Sequence, residues 1–227
     1  MSNLIAAAVF FLGIHFGVSG TRLRDRLVAA LGEKKYRGLF ALVSLVGLIW
    51  LIYAYGRAPY VSLWGQLVSL KPVAAPLVLL AFIFVGVGLA TPSPTVAGME
   101  SQLARGAAAR GIVRITRHPF LWGVALWALV HLTINGDLAS LLLFGSLLVL
   151  SLGGTFSIDA KRRRGFGEHW EQFARATSNV PFAAIASGRN QLGAALREMG
   201  LVKPLIAAAV YVAFFLLHAR LFGVPAG

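Results

Sequence analysis

The sequence predicts an all-α fold, an integral membrane bundle of about six transmembrane helices with an interfacial amphipathic segment before the last. Three observations lead there. Hydrophobic residues make up 58% of the 227-residue chain and charged residues only 13%, well below the roughly 25% charged share of an ordinary soluble domain. Apolar runs approaching the length that crosses a hydrocarbon core, about 20 residues each, recur along most of the chain. The basic residues fall between those runs and sort to alternate connections, which is how a multi-pass chain fixes its topology.

The runs place six spans at residues 4–19, 39–55, 72–90, 120–134, 138–156 and 204–222. The first is expected to be a retained helix, because no basic residue precedes its apolar run and Arg22, Arg24 and Arg26 lie beyond it, the reverse of a cleavable signal. The fourth is short for a full crossing, and residues 112–113 extend it inward past a kink at Pro119. The turn "INGD" leads from it into the fifth. No internal repeat and no low-complexity linker divides the chain, so a single domain, residues 1–227, is expected.

Lysine and arginine give the orientation. The first connection carries Arg22, Arg24, Arg26, Lys34, Lys35 and Arg37, the third Arg105, Arg110, Arg114 and Arg117, and the fifth Lys161, Arg162, Arg163, Arg164, Arg175, Arg189, Arg197 and Lys203. Against these eighteen, the other face has only Arg57, Lys71 and Arg220. Positive-inside sorting therefore puts the odd connections in the cytoplasm and both termini outside. The net charge of +13 is accounted for by topology, so the expected partner is the lipid bilayer and no nucleic acid is implied. Trp50, Tyr53, Tyr55, Tyr60 and Trp64 cluster at the outer interface, where amphipathic rings prefer to sit. Before the last span, Phe166, Trp170 and Phe173 follow helical spacing with Glu168, Glu171 and Arg175 between them, the pattern of an interfacial helix. A second amphipathic piece carries Leu192, Leu196 and Met199 on one side.

Chemistry has few carriers. The chain has no cysteine, which excludes disulfides, thiolate metal sites and cysteine nucleophiles. A phosphate-cradling glycine loop, paired carboxylates within a span and an HExxH motif are all missing from the sequence. Ionisable side chains inside spans are expensive and point to function, which leaves the five histidines. His15 and His118 lie toward the cytoplasmic ends of the first and fourth spans, and His131 and His218 toward the outer ends of theirs. His169 belongs to the interfacial segment. His118 and His131, 13 residues apart, would differ by about 20 Å of rise along a helix and so do not share an ion. His15 and His118 share a level, and Gly13 and Gly17 beside His15 form a small-xxx-small pair that admits a neighbouring helix, so a shared inner site is expected. His131 has a plainer reading as an imidazole bonded to a neighbouring helix. His118 also has two. It caps a helix that begins at Pro119, or it joins Arg110, Arg114 and Arg117 in an anion site for a phosphate, a propionate or a lipid headgroup. The basic run "DAKRRRGFGEHW" (159–170) is a headgroup-facing cluster or part of such a site.

The segments "GIHF", "LVAALGEKKYRGLFALVSLVGLIWLIYAYGRA", "RITRHPFLWGVALWALVHLTINGDLASLLLFGSLL" and "TSNVPFAAIASGR" together resemble the NnrU family over nearly the full chain. That resemblance implies a bacterial inner-membrane protein associated with denitrification, specifically with production of active nitrite and nitric oxide reductases. The family is in turn similar to the plant 15-cis-zeta-carotene isomerases, membrane proteins whose haem b iron is held by histidine and which isomerise a double bond in a redox-dependent way. This likeness implies haem b, with His15, His118 and His131 as cofactor-binding candidates, His15 and His118 as iron ligands, and Arg114 and Arg117 opposite the propionates. Around "LGGTFSIDAKRR" (152–163), where a second ligand is sought, neither His nor Cys occurs, which leaves His15 alone or His15 with His118. "RHPFLWG" and "GFGEHWEQFARATSNVP" also resemble the isoprenylcysteine carboxyl methyltransferases, with Asp159-Ala160 in place of their glutamate pair. The alternative implied is an S-adenosylmethionine-dependent methyltransferase-like enzyme acting on a lipidic substrate. A third is an assembly partner of denitrification proteins that docks through its basic loops.

Overall fold

The computed structural model describes residues 1–106 and 108–226. Its regular structure is helical, with a lone antiparallel bridge between Ser62 and Asp137. In order, the helices are α1 (Ser2–Gly13), continued by a π-helical segment (Ile14–Ser19), α2 (Arg22–Leu31), α3 (Glu33–Tyr55), α4 (Lys71–Leu89), α5 (Pro119–Asn135), α6 (Leu138–Phe166), α7 (Glu168–Ala176), α8 (Ala183–Ala186), α9 (Leu192–Met199) and α10 (Val202–Phe222). Among the described residues, five stretches are long and apolar enough to cross a membrane: Ser2–Ser19, Glu33–Tyr55, Val68–Leu89, Leu138–Phe166 and Val202–Phe222. Pro119–Asn135 is the shorter apolar helix expected of the fourth span. The chain is thus an α-helical, multi-pass membrane protein.

Two helices outrun the apolar runs that announced them. α3 starts at Glu33 rather than near residue 39, because charge ends a hydrocarbon crossing without ending a helix. Glu33 in its first turn accepts from Arg24 at 2.9 Å and pairs with Arg37 at 3.3 Å, on the side of the dipole that favours an acid. α6 runs ten residues past the expected end at residue 156. At 29 residues it spans about 44 Å, against roughly 30 Å of hydrocarbon, so its last turns, with Asp159 and the following basic residues, stand beyond the apolar layer.

The described chain falls into two compact units, residues 1–68 with 131–150, and residues 69–130 with 151–226. In the first, α1 packs on α3 where Gly47 leaves room for Phe10; a Cβ there would lie 3.1 Å from the Phe10 ring. The connection after α3 is stitched to the α5–α6 turn. The Gly136 carbonyl accepts from the amides of Leu63, Trp64 and Gly65 at 2.9, 3.1 and 3.2 Å, and Leu138 N–H donates to Val61 at 2.9 Å. Four rings of the expected outer belt find polar partners: Trp50 donates to Asn3 at 3.1 Å, Trp64 to the Thr133 carbonyl at 2.9 Å, the Tyr55 hydroxyl meets Ser140 at 3.2 Å, and the Tyr53 hydroxyl accepts from Arg57.

In the second unit, helix contacts are made at small residues, as expected where lipid removes the hydrophobic drive for helix association. A Cβ on Gly86 would meet Ala207 at 2.9 Å, and one on Gly123 would meet Val85 Cγ2 at 2.7 Å and the Ala81 carbonyl oxygen at 2.8 Å. α5 therefore lies close on α4, and α10 close on α4. The last turns of α4 and the segments outside the spans share a buried core of Phe84, Val87, Leu103, Ile112, Val113, Ile115, Trp170, Phe173 and Ala195. The amphipathic segment before the last span is present as α7, and its apolar face supplies Trp170 and Phe173 to this core, Trp170 with no exposed surface.

Candidate functional site

His15 sits in the π-helical turn, a rare widening of a helix that recurs at functional positions. The His15 imidazole folds back onto the Phe11 carbonyl, Nδ1 to oxygen at 2.7 Å. A carbonyl only accepts, so Nδ1 carries the proton and Nε2 keeps its lone pair. The half-buried ring lies 4.6 Å from Phe11 and 5.3 Å, edge-on, from Phe40, and it makes no other hydrogen bond among the described residues. Within the first unit, a Cβ on Gly13 or Gly17 would meet nothing within 4 Å. His131, in the same unit, packs its ring 5.1 Å from that of Phe144, which in turn meets Tyr55 at 5.9 Å.

His118 occupies a different setting, in the second unit. Its backbone N–H donates to Thr116 Oγ1 at 3.2 Å and its carbonyl accepts from Trp122 N–H at 3.0 Å, so it does start α5, with Pro119 in the first turn. Its side chain is 1% exposed and Nε2 lies 2.6 Å from Asp159 Oδ1. Burial, helped by the neighbouring Arg117 charge, holds the imidazole below its ordinary range despite Asp159. Nε2 faces a carboxylate oxygen, which accepts, so it carries a proton and donates it. Asp159, on α6, also takes Arg117: Nε at 3.0 Å from both oxygens and Nη2 at 2.6 Å from Oδ2, with Asn179 Nδ2 at 3.3 Å. The Arg117 guanidinium lies 5.4 Å over the Trp170 ring, and its backbone is bonded to Ser178 at 2.9 Å and Thr95 at 2.5 Å. One carboxylate thus ties the start of α5, the end of α6 and the 178–179 segment together, with charge-assisted bonds of the strong kind.

Arg114 is drawn elsewhere. Nε and Nη2 donate to Glu198 at 2.8 and 2.7 Å, and Nη1 to Asn190 at 2.8 Å. The Arg114 hydrogen bonds, with the Gly111 amide at 2.8 Å, hold the Glu198 carboxyl down at about 2, and Glu198 raises Arg114 in return.

Of the predicted site residues, then, the structure joins Arg117 to His118, sends Arg114 to Glu198, and holds His15 and His131 in the other unit. The His118 Nε2 proposed for iron is bonded to Asp159, and the guanidinium groups set opposite propionates each have an internal carboxylate. The Arg117–His118 pair that the methyltransferase resemblance assigned to a cofactor is likewise engaged. Sequence reasoning missed Asp159 as a hub. The signal was present: the chain has eight acidic residues against 21 lysines and arginines, and a lone acid at the foot of an apolar run needs a partner.

Residues 3–226 match the model of the NnrU protein family. The chain is 29% identical over 194 residues to the chloroplastic 15-cis-zeta-carotene isomerase of Zea mays and 28% identical over 195 residues to that of Arabidopsis thaliana, in each case over 83% of this chain and 52% of the relative. It therefore spans about half the length of the curated relatives it matches. No solved structure matches it. With the family's pattern running through the π-turn histidine, the clamped "RHP" segment and the last span alike, this multi-pass helical chain belongs to the NnrU protein family.

Proposed function

We propose that this chain is a bacterial inner-membrane protein, both termini periplasmic, that holds haem b through His15 and carries out a redox-linked, isomerase-like reaction on a lipidic substrate in support of denitrification. The observation that carries the proposal is the His15 imidazole, pinned by Nδ1–H to the Phe11 carbonyl with Nε2 uncommitted. Histidines that ligate metals characteristically donate the other ring N–H to a carbonyl or carboxylate, which fixes the tautomer and raises the basicity of the ligating nitrogen. Neutral imidazole is an ordinary axial ligand for haem, so this donor fits the group. Bound there, haem would supply a one-electron couple beside the substrate.

The chain's own part is to hold and shield. The π-turn aims the ring, the Phe11 carbonyl keeps its tautomer, and the Phe11 and Phe40 rings keep water from its faces. His118 takes no iron in this proposal; it secures the start of α5. The isomerase-like chemistry is supported by the kinship with proteins named for carotene isomerisation, and a lipidic substrate suits a chain whose spans are open to the bilayer.

The test is the visible spectrum of the full chain purified from haem-replete cells. A Soret band that His15→Ala abolishes or shifts, and that His118→Gln leaves in place, is expected. An unpigmented wild-type protein overturns the proposal, and saturable S-adenosylmethionine binding by such a preparation replaces it with the methyltransferase-like reading. In the native host, loss of the gene is expected to lower nitrite and nitric oxide reductase activity, with no rescue by His15→Ala.

A further inference from the structure

The arginines that cluster before α5 have different fates. Arg114 and Arg117 are each bonded to an internal carboxylate, but the Arg110 side chain makes no hydrogen bond or close ion pair among the described residues, and the residue is exposed. It lines a cavity of about 440 Å³ together with Lys203, Thr91, Gln102 and Glu198. Lys203 likewise makes no hydrogen bond or ion pair among the described residues. Glu198 also feels the Arg110 charge, but it is bonded to Arg114, at 2.7 Å, and to the Gly111 amide, at 2.8 Å. One carboxylate faces three cations, so the cavity carries a net positive charge beside two neutral hydrogen-bonding side chains.

Its position narrows the occupant. Thr91 follows the end of α4 and Lys203 is the second residue of α10, the helix pair held at Gly86 and Ala207 and by the Phe82 ring against Tyr211 at 5.6 Å. The cavity thus sits where α4 ends and α10, packed against it, begins. Exposed apolar side chains continue from it along those helices: Leu89 is 65% exposed, Val202 69% and Leu205 64%. An anionic head in the cavity would place its hydrocarbon chain beside that surface. The cavity across the 106–110 segment, about 320 Å³ and lined by Arg114, His169 and Arg189, is less suited, because Arg189 is bonded to the carbonyls of Arg175 and Thr177 at 2.9 and 3.0 Å.

We propose that the Arg110–Lys203 cavity binds a phosphate group, that of an anionic membrane lipid whose chains run along α4 and α10. The cations neutralise the phosphate, Thr91 and Gln102 hydrogen-bond its oxygens, and the fixed Arg114–Glu198 pair forms a wall that adds no net charge. The site is independent of the His15 proposal.

The test is native mass spectrometry of the full chain in detergent with dioleoyl phosphatidylglycerol, dioleoyl phosphatidylcholine and inorganic phosphate as separate probes. One retained phosphatidylglycerol per chain is expected, with phosphatidylcholine bound about tenfold more weakly. Arg110→Gln/Lys203→Gln is expected to weaken phosphatidylglycerol at least about tenfold, since each cation at such a surface contributes a sizeable factor. Arg26→Gln/Lys34→Gln, which removes equal charge from another connection, is expected to stay within about twofold. Inorganic phosphate that binds instead, and is lost only in the first double variant, supports the phosphate site and assigns it a soluble occupant. Equal losses in the two double variants, or no loss in the first, overturn the proposal. The first double variant leaves the visible spectrum unchanged, which separates this outcome from any failure at His15.

Discussion

His15 and His118 both stand at the ends of apolar helices and both use one ring nitrogen within the protein, yet the acceptors differ. His15 meets a backbone carbonyl at 2.7 Å and keeps the other nitrogen available on a half-buried ring. His118 meets a carboxylate at 2.6 Å that also takes an arginine and an asparagine, on a side chain 1% exposed. A carbonyl orients an imidazole and asks nothing further. A buried carboxylate shared with a guanidinium is structurally committed, since removing any member leaves another uncompensated. The comparison separates a histidine free to bind from one that holds the fold.

The largest effect is expected at the shared carboxylate. Asp159→Ala leaves Arg117, whose side chain is 12% exposed, without its counter-charge, and about 3–5 kcal/mol of stability is expected to be lost, read by thermal unfolding in detergent. Asp159→Asn keeps an acceptor for His118 and should lose less. Next comes Gly123→Val, which drives a side chain into Val85 and the Ala81 carbonyl and is expected to destabilise by about 1–3 kcal/mol. Gly17→Ala meets open space and should be close to silent on the same measurement.

The histidines themselves sharpen the contrast further. His118→Gln should lower the unfolding temperature and leave pigment in place, while His15→Gln should remove pigment and leave the unfolding of the haem-free protein unchanged. Because burial depresses the His118 imidazole below its ordinary 6.5, its contribution is complete above that pH and declines as pH falls below it, and His118→Gln should remove that part of the pH profile. The smallest effect belongs to Glu198. Its carboxyl is lowered from 4.5 to about 2, so its contribution is present above 4.5 and fades as pH falls toward 2. The pair is 26% and 35% exposed, and solvent screening keeps that contribution small. Glu198→Gln should flatten only this acid limb of a stability–pH curve.

The spans were readable because apolar length is a local property, and so was the amphipathic spacing of Phe166, Trp170 and Phe173. Where α3 and α6 end in the polar layers was less readable, since Lys34, Lys35 and Arg162 are good helix formers that hydropathy marks as breaks. His15 was identifiable as a candidate from its type and depth, but its π-turn was not, because that depends on which backbone bonds the packed chain selects. The clamp around Asp159 joins residues 41 and 42 apart, a pairing made by packing that no local spacing encodes. Arg110, Arg114 and Arg117 looked alike in sequence; only the placement of Glu198 and Asp159 separates the two that are hydrogen-bonded to a carboxylate from the one that is not.

An i→i+5 turn carries one residue more than the α-turn it interrupts. Deleting Val18 would remove that extra residue while leaving Phe11 and His15 four positions apart, so the winding around the imidazole can be altered with the His15–Phe11 pair itself untouched. Under the proposed ligation by His15, the length of this short stretch therefore belongs beside the presence of the residue when relatives of this chain are compared.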